Sequence, residues 1–92
     1  MGRNSYMNTL HVIAQAIESI GLECGLLNSG GNIYLLTIDI KDRHFFIGYE
    51  DSIIVQEVDA EGDALDVDRL WAFDTVDELQ NFFVTIMRIE GV

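Results

Sequence analysis

Between Leu22 and Val58 the chain consists of four apolar runs separated by breaks of only three to five residues, and this spacing constrains the fold more than any other feature. The runs are Leu22 to Leu27, Ile33 to Ile40, His44 to Tyr49 and Ile53 to Val58. The breaks are Asn28-Ser29-Gly30-Gly31-Asn32, Lys41-Asp42-Arg43 and Glu50-Asp51-Ser52. Runs rich in β-branched and aromatic residues, bounded by Gly, Asn, Asp and Ser, read as strands joined by tight turns. A parallel connection needs a crossover of about a dozen residues, so each strand must be antiparallel to the next. The four runs therefore predict a meander.

Alternation assigns the faces of that sheet. Tyr34, Leu36, Ile38 and Ile40 point one way, and Ile33, Leu35, Thr37 and Asp39 the other. Phe45, Ile47 and Tyr49 likewise oppose His44, Phe46 and Gly48. The first set of each is expected to meet helices. The second set keeps Ile33, Leu35 and Phe46, which is apolar for a solvated face. Either the segment after the fourth strand covers it or it is a contact surface.

Helical periodicity brackets the meander. Tyr6, Leu10, Ile13, Ile17 and Ile20 make one stripe on a helix from about Asn4 to Ile20, which Asn4 or Ser5 can cap and Gly21 can end. Val76, Leu79, Phe82, Phe83 and Ile86 make the stripe of a second helix, from about Val76 to Ile89. Thr75 and Glu78 have capping-box spacing at its start, and Gly91 can end it. Leu70 to Phe73 is a short apolar run that can add an edge strand. The expected fold is α+β, a two-layer sandwich of order α-β-β-β-β-α, in which a four-stranded antiparallel meander carries both helices on one face. Ninety-two residues with no second core predict a single domain over positions 1–92.

Composition narrows the partners. The net charge is −11, from 16 acidic and 5 basic residues. That opposes direct binding to nucleic acid or to an anionic membrane and favours a basic protein surface. Half the residues are apolar and nine are aromatic, which fits a folded domain rather than a disordered acidic tail. A lone cysteine, Cys24, excludes an internal disulfide and fits a reducing cytoplasm. No run reaches the roughly 20 apolar residues of a membrane span, and the first residues lack a signal-like apolar core.

The charge is also segregated. Residues 50–78 hold eleven acids and one base, Arg69, whereas residues 1–49 are nearly neutral. Within the block Glu57, Asp59, Glu61 and Asp63 recur at every second position. In extended chain such side chains share one face about 6 to 7 Å apart, a spacing that imitates successive phosphates. Asp66 and Asp68 extend the row, and Asp74, Asp77 and Glu78 can widen it. These last three also suit a helix N-terminus for ordinary electrostatic reasons, and an acidic loop can be merely solvated. The candidate partner-binding set is Glu57, Asp59, Glu61, Asp63, Asp66 and Asp68.

Other chemistry finds little footing. Glu57, Asp59, Glu61, Gly62 and Asp68 fall at positions one, three, five, six and twelve of a degenerate calcium loop, but a strand precedes them and the end ligands are wrong. His11, His44 and Cys24 lack zinc-ligand spacing. The serines and Cys24 sit in no nucleophile signature, and Asn28 to Asn32 matches no phosphate-binding fingerprint. The expectation is a protein that is not an enzyme and uses no cofactor or metal.

Size, acidity, lack of disulfides and helix-sheet-helix order together resemble the small acidic anti-CRISPR proteins of phages that act on type I surveillance complexes, type I-F included. Locally, Phe73-Asp74-Thr75 with Glu78, Leu79, Phe82 and Phe83 is similar to the start of the second helix in such a protein. The resemblance implies a host-cytoplasmic inhibitor that binds a Cas complex stoichiometrically and blocks target DNA; independently of it, Tyr49, Trp71 or Phe46 could anchor such a contact, since aromatics often dominate interface energy. It transfers no site residue. An immunity protein against a basic toxin, or an acidic secretion chaperone, would share the same charge logic.

Overall fold

The computed structural model describes residues 2–31 and 33–92, with side chains from Tyr6 onward. Helix α1 (Gly2–Glu18) leads into β1 (Gly25–Gly30), β2 (Ile33–Ile40), β3 (Arg43–Tyr49) and β4 (Ile53–Val58). A 3-10 turn (Val67–Arg69) precedes β5 (Leu70–Phe73), and α2 (Val76–Glu90) closes the chain. The strands lie in sequence order in one sheet, each antiparallel to its neighbours. The α+β sandwich and its meander are as expected, with one correction: the sheet has five strands, because Leu70 to Phe73 pairs along β4 from Gln56 to Ile53.

Three boundaries also differ from the sequence reading. Helix α1 starts before Asn4, and the capping side chains of Asn4 and Ser5 lie outside what is described, as does Asn32. Leu22 belongs to the core but not to β1, which runs on through Asn28 and Ser29 and bulges between Asn28 and Gly30. The bulge lets Asn28 Oδ1 accept the Gly30 N–H at 2.9 Å, so polar residues expected in the loop end the strand instead. Arg43 opens β3 rather than turning the chain, because Lys41 takes the left-handed conformation (φ 55°) and closes the β2–β3 turn in two residues.

The helices pack on the face predicted for them. Leu10, Ile13 and Ile17 from α1 and Leu79, Phe83 and Ile86 from α2 bury against Leu36, Ile38, Phe45, Ile47 and Val55. Each such side chain contributes about 1.5 to 3 kcal/mol. Phe45 meets Phe83 edge-on at 5.3 Å, and Phe82 touches Trp71 at 4.7 Å and Phe73 at 5.2 Å. This aromatic cluster fixes α2 across the sheet from β3 to β5 and draws Trp71 to the core side. The capping box holds the start of α2: Glu78 N–H donates to Thr75 Oγ1, and Glu78 Oε1 accepts the Thr75 N–H. Gly91, at φ 76°, ends the helix.

Candidate acidic interface

Parity along β4 decides the fate of the first candidate residue. Ile53 and Val55 face the helices, so Glu57 does too, and it is 3% exposed. Arg43, two residues before the buried Phe45, enters the same layer from β3. Its Nε donates to Glu57 Oε2 and its Nη2 to Oε1, both at 2.8 Å. Arg69 Nη1 donates to Oε1 from the other side at 2.9 Å. A bidentate fork with a second guanidinium is the geometry in which a buried carboxylate is tolerated. The hydrogen bonds from Arg43 hold the Glu57 carboxyl below the usual carboxylate range, assisted by Arg69 and opposed by burial. Arg43 also lies 5.4 Å above the Phe45 ring and reaches Glu90 at 3.6 Å, which ties the end of α2 to the cluster.

The expected row of alternating surface carboxylates is therefore corrected. Glu57 is an internal ion-pair residue, and the chain beyond Val58 is looped rather than extended. Asp59 builds that loop. Its Oδ1 accepts the N–H of Glu61 at 3.0 Å and of Asp63 at 2.9 Å, while its own N–H donates to Asp63 O at 2.8 Å. Gly62 holds φ 89°, a conformation that favours glycine. The loop then returns, with Val58 bridging Ala64 and Leu65 N–H donating to Glu57 O at 3.1 Å. It lies over the outer sheet face: a Cβ at Gly62 would stand 3.5 Å from Phe46 Cζ, and Val58 is buried. Loop cover thus accounts for part of that apolar face. Beside the loop lies a shallow groove of about 250 Å³ lined by Leu35, Phe46, Gly48 and Ile54, and Ile33 on the same face stays exposed.

Four candidates remain together on the surface: Glu61, Asp63, Asp66 and Asp68 are all exposed. None forms an ion pair among the described residues, and the single base of the acidic block, Arg69, is committed to Glu57. Gln56 Nε2 adds a bond to Arg69 O at 3.3 Å. The loop is thus fastened at both ends while its carboxylates face outward.

The other acids of the block are elsewhere. Ile53 pairs with Phe73, so Glu50, Asp51 and Asp74 lie at the opposite end of β4, about 20 Å away for six extended residues. Glu78 serves the cap of α2. Sequence reasoning passed over Leu65 and Val67, which are 40% and 91% exposed and alternate with Asp66 and Asp68. Apolar residues in such positions read as inward; the missing signal was that the segment pairs with no strand on its far side.

Among the described residues, no group of three or more His, Cys, Asp or Glu is arranged to hold a metal ion. The calcium-loop spacing has no counterpart here, since two arginines occupy the Glu57 carboxylate. No described helix is long and apolar enough to cross a membrane. Comparison with protein-family models, with curated proteins and with solved structures finds no match.

Proposed function

We propose that the protein is a non-catalytic inhibitor of the anti-CRISPR type, which occupies a basic nucleic-acid path on a protein complex and excludes target DNA from it. The observation that carries this reading is the anchored loop with four outward carboxylates, Glu61, Asp63, Asp66 and Asp68, and no free cation of its own. Such a loop brings fixed negative charge to a lysine- and arginine-lined groove without first having to order itself, which lowers the entropic cost of binding. Leu65 and Val67 supply apolar contact between the charges. The net charge of −11 steers association with a basic partner, and the on-rate falls as salt rises. Glu57 takes no part in contact; its role is to hold the loop.

The test is an electrophoretic shift of target DNA by a purified type I surveillance complex. The parent protein in excess is expected to abolish the shift. Reversing Glu61, Asp63, Asp66 and Asp68 to lysine should restore it while leaving the circular dichroism spectrum and cooperative unfolding intact. Reversing Asp51 and Asp77 at the other end of the sheet should leave inhibition in place. A folded loop variant that inhibits as well as the parent removes this mechanism.

A further inference from the structure

The edge strand β1 bears no relation to the acidic loop, and its chemistry is the reverse. Its six residues, Gly25-Leu26-Leu27-Asn28-Ser29-Gly30, are all exposed and include no charge. Only one side of β1 is paired, with β2, so a row of backbone N–H and C=O groups faces outward. Edge strands are ordinarily protected by charges, proline or cover. Among the described residues the one such device is the bulge, and it lies at the hairpin end between Asn28 and Gly30. Leu26 is 58% exposed on the helix-bearing side. Beside it runs an apolar groove of about 220 Å³ between α1 and β1, lined by Met7, His11, Ala14, Glu18 and Leu26.

We propose that β1 is a dimerisation edge, where two copies of this chain pair β1 with β1 in antiparallel fashion and make one ten-stranded sheet. The distribution of charge selects a second copy as occupant. A chain of net charge −11 should repel itself, yet residues 24–38 hold no charged residue, and the loop with Glu61, Asp63, Asp66 and Asp68 joins β4 to β5, the opposite edge of the sheet. Joining two copies at β1 sets the two acidic ends as far apart as the sheet allows. A basic peptide would find no carboxylate on this strand to pair with, whereas two copies of it meet without opposing like charges.

The register follows from geometry. Residues directly opposite in an antiparallel pair point to the same face. With the helices of both copies on one face, the two-fold axis must pass through a residue that meets its own copy. Within the regular part of β1 that residue is Leu26 or Leu27. The first choice packs two Leu26 side chains together at the mouths of the two grooves; the second pairs Leu27 with itself on the outer face.

Sedimentation equilibrium and site-directed cross-linking test this. In about 0.5 M salt, where the Debye length is near 4 Å, the parent chain should show a monomer–dimer equilibrium below about 1 mM. In a Cys24→Ala background, Leu26→Cys or Leu27→Cys should give a disulfide-linked dimer on mild oxidation, because opposed Cβ atoms lie about 4.5 to 5.5 Å apart. Val67→Cys, at a position more exposed than either leucine, should not. Leu26→Lys, checked for folding by circular dichroism, should weaken dimerisation at least tenfold. A chain that stays monomeric up to about 1 mM, or a dimer that neither leucine position cross-links, overturns the proposal.

Discussion

At one edge of the sheet, β1 presents six exposed, uncharged residues. At the other, β5 is four residues long and lies between an acidic loop and the acidic start of α2. Both are edge strands with one row of backbone groups left unpaired by the sheet, so what differs most is what the side chains allow to approach. Asp66, Asp68 and Asp74 surround β5 with negative charge, which repels a second copy and attracts cations. The neutral edge does neither. The contrast shows how a chain of 92 residues keeps two surfaces of opposite character on one small core: the segregation lies in the loops and edges, while the same Leu, Ile and Phe layer supports both.

The acidic edge depends on an anchor that the neutral edge lacks, and removing that anchor should have the largest effect. Arg43→Ala leaves Glu57 buried with only the half-exposed Arg69, and it also loses the contacts to Phe45 and Glu90. Breaking one partner of a buried ion pair costs about 3 kcal/mol. Urea denaturation should show that loss, and hydrogen exchange should show faster opening at residues 59–69 than at β1. Equal acceleration at both edges would mean that the cluster supports the whole sheet and not the acidic end in particular.

Glu57→Gln addresses the same anchor through pH. At neutral pH the variant should be less stable by about 2 kcal/mol, since an amide cannot answer two guanidinium groups. The folded carboxyl titrates below its unfolded value. Its contribution is therefore fully present above the unfolded value of about 4.3 and lost as pH falls through the lower folded one. Stability measured from pH 7 down to about pH 2 should show parent and variant converging at the acid end. A constant gap would show that Glu57 acts by packing and not by charge.

How much of this was legible beforehand follows the same divide. The meander, its faces and the stripe of each helix could be read, because hydrophobic period and short turns are local signals. Glu57 was misread as a surface acid because the spacing of Glu57, Asp59, Glu61 and Asp63 fits an extended chain. Ile53 and Val55 already carried the correction, since the same alternation that sends them inward sends Glu57 with them. Arg43 was assigned to a turn for the same kind of reason: the positive φ of Lys41, which shortens that turn, leaves little trace in a lysine. The fold of the Asp59 loop depends on side-chain bonds to backbone that no periodicity encodes.

Gly62→Ala tests the loop itself with a smaller perturbation. The space beside Gly62 admits a methyl group, because the nearest atom is Phe46 Cζ at 3.5 Å. The cost is then conformational, about 1.5 kcal/mol for an L-residue at φ 89°. If the loop relaxes by leaving Phe46, the outer face should bind more of an environment-sensitive apolar dye than the parent does, while cross-linking through β1 stays unchanged. Unaltered dye binding together with full loss of stability would place the strain within a loop that remains seated.

The smallest expected effect concerns the charges on which the functional reading rests. Neutralising Glu61, Asp63, Asp66 and Asp68 to Gln and Asn removes repulsion among exposed groups and breaks no ion pair among the described residues. Two unit charges about 7 Å apart in water repel by about 0.6 kcal/mol, and physiological salt screens roughly half of that. The variant should therefore be slightly more stable than the parent, by no more than about 1 kcal/mol, with the difference shrinking as salt is added. A marked loss of stability would mean that these carboxylates hold the loop together. In that case their exposure would reflect the needs of the fold, and the two edges would differ in architecture rather than in what they bind.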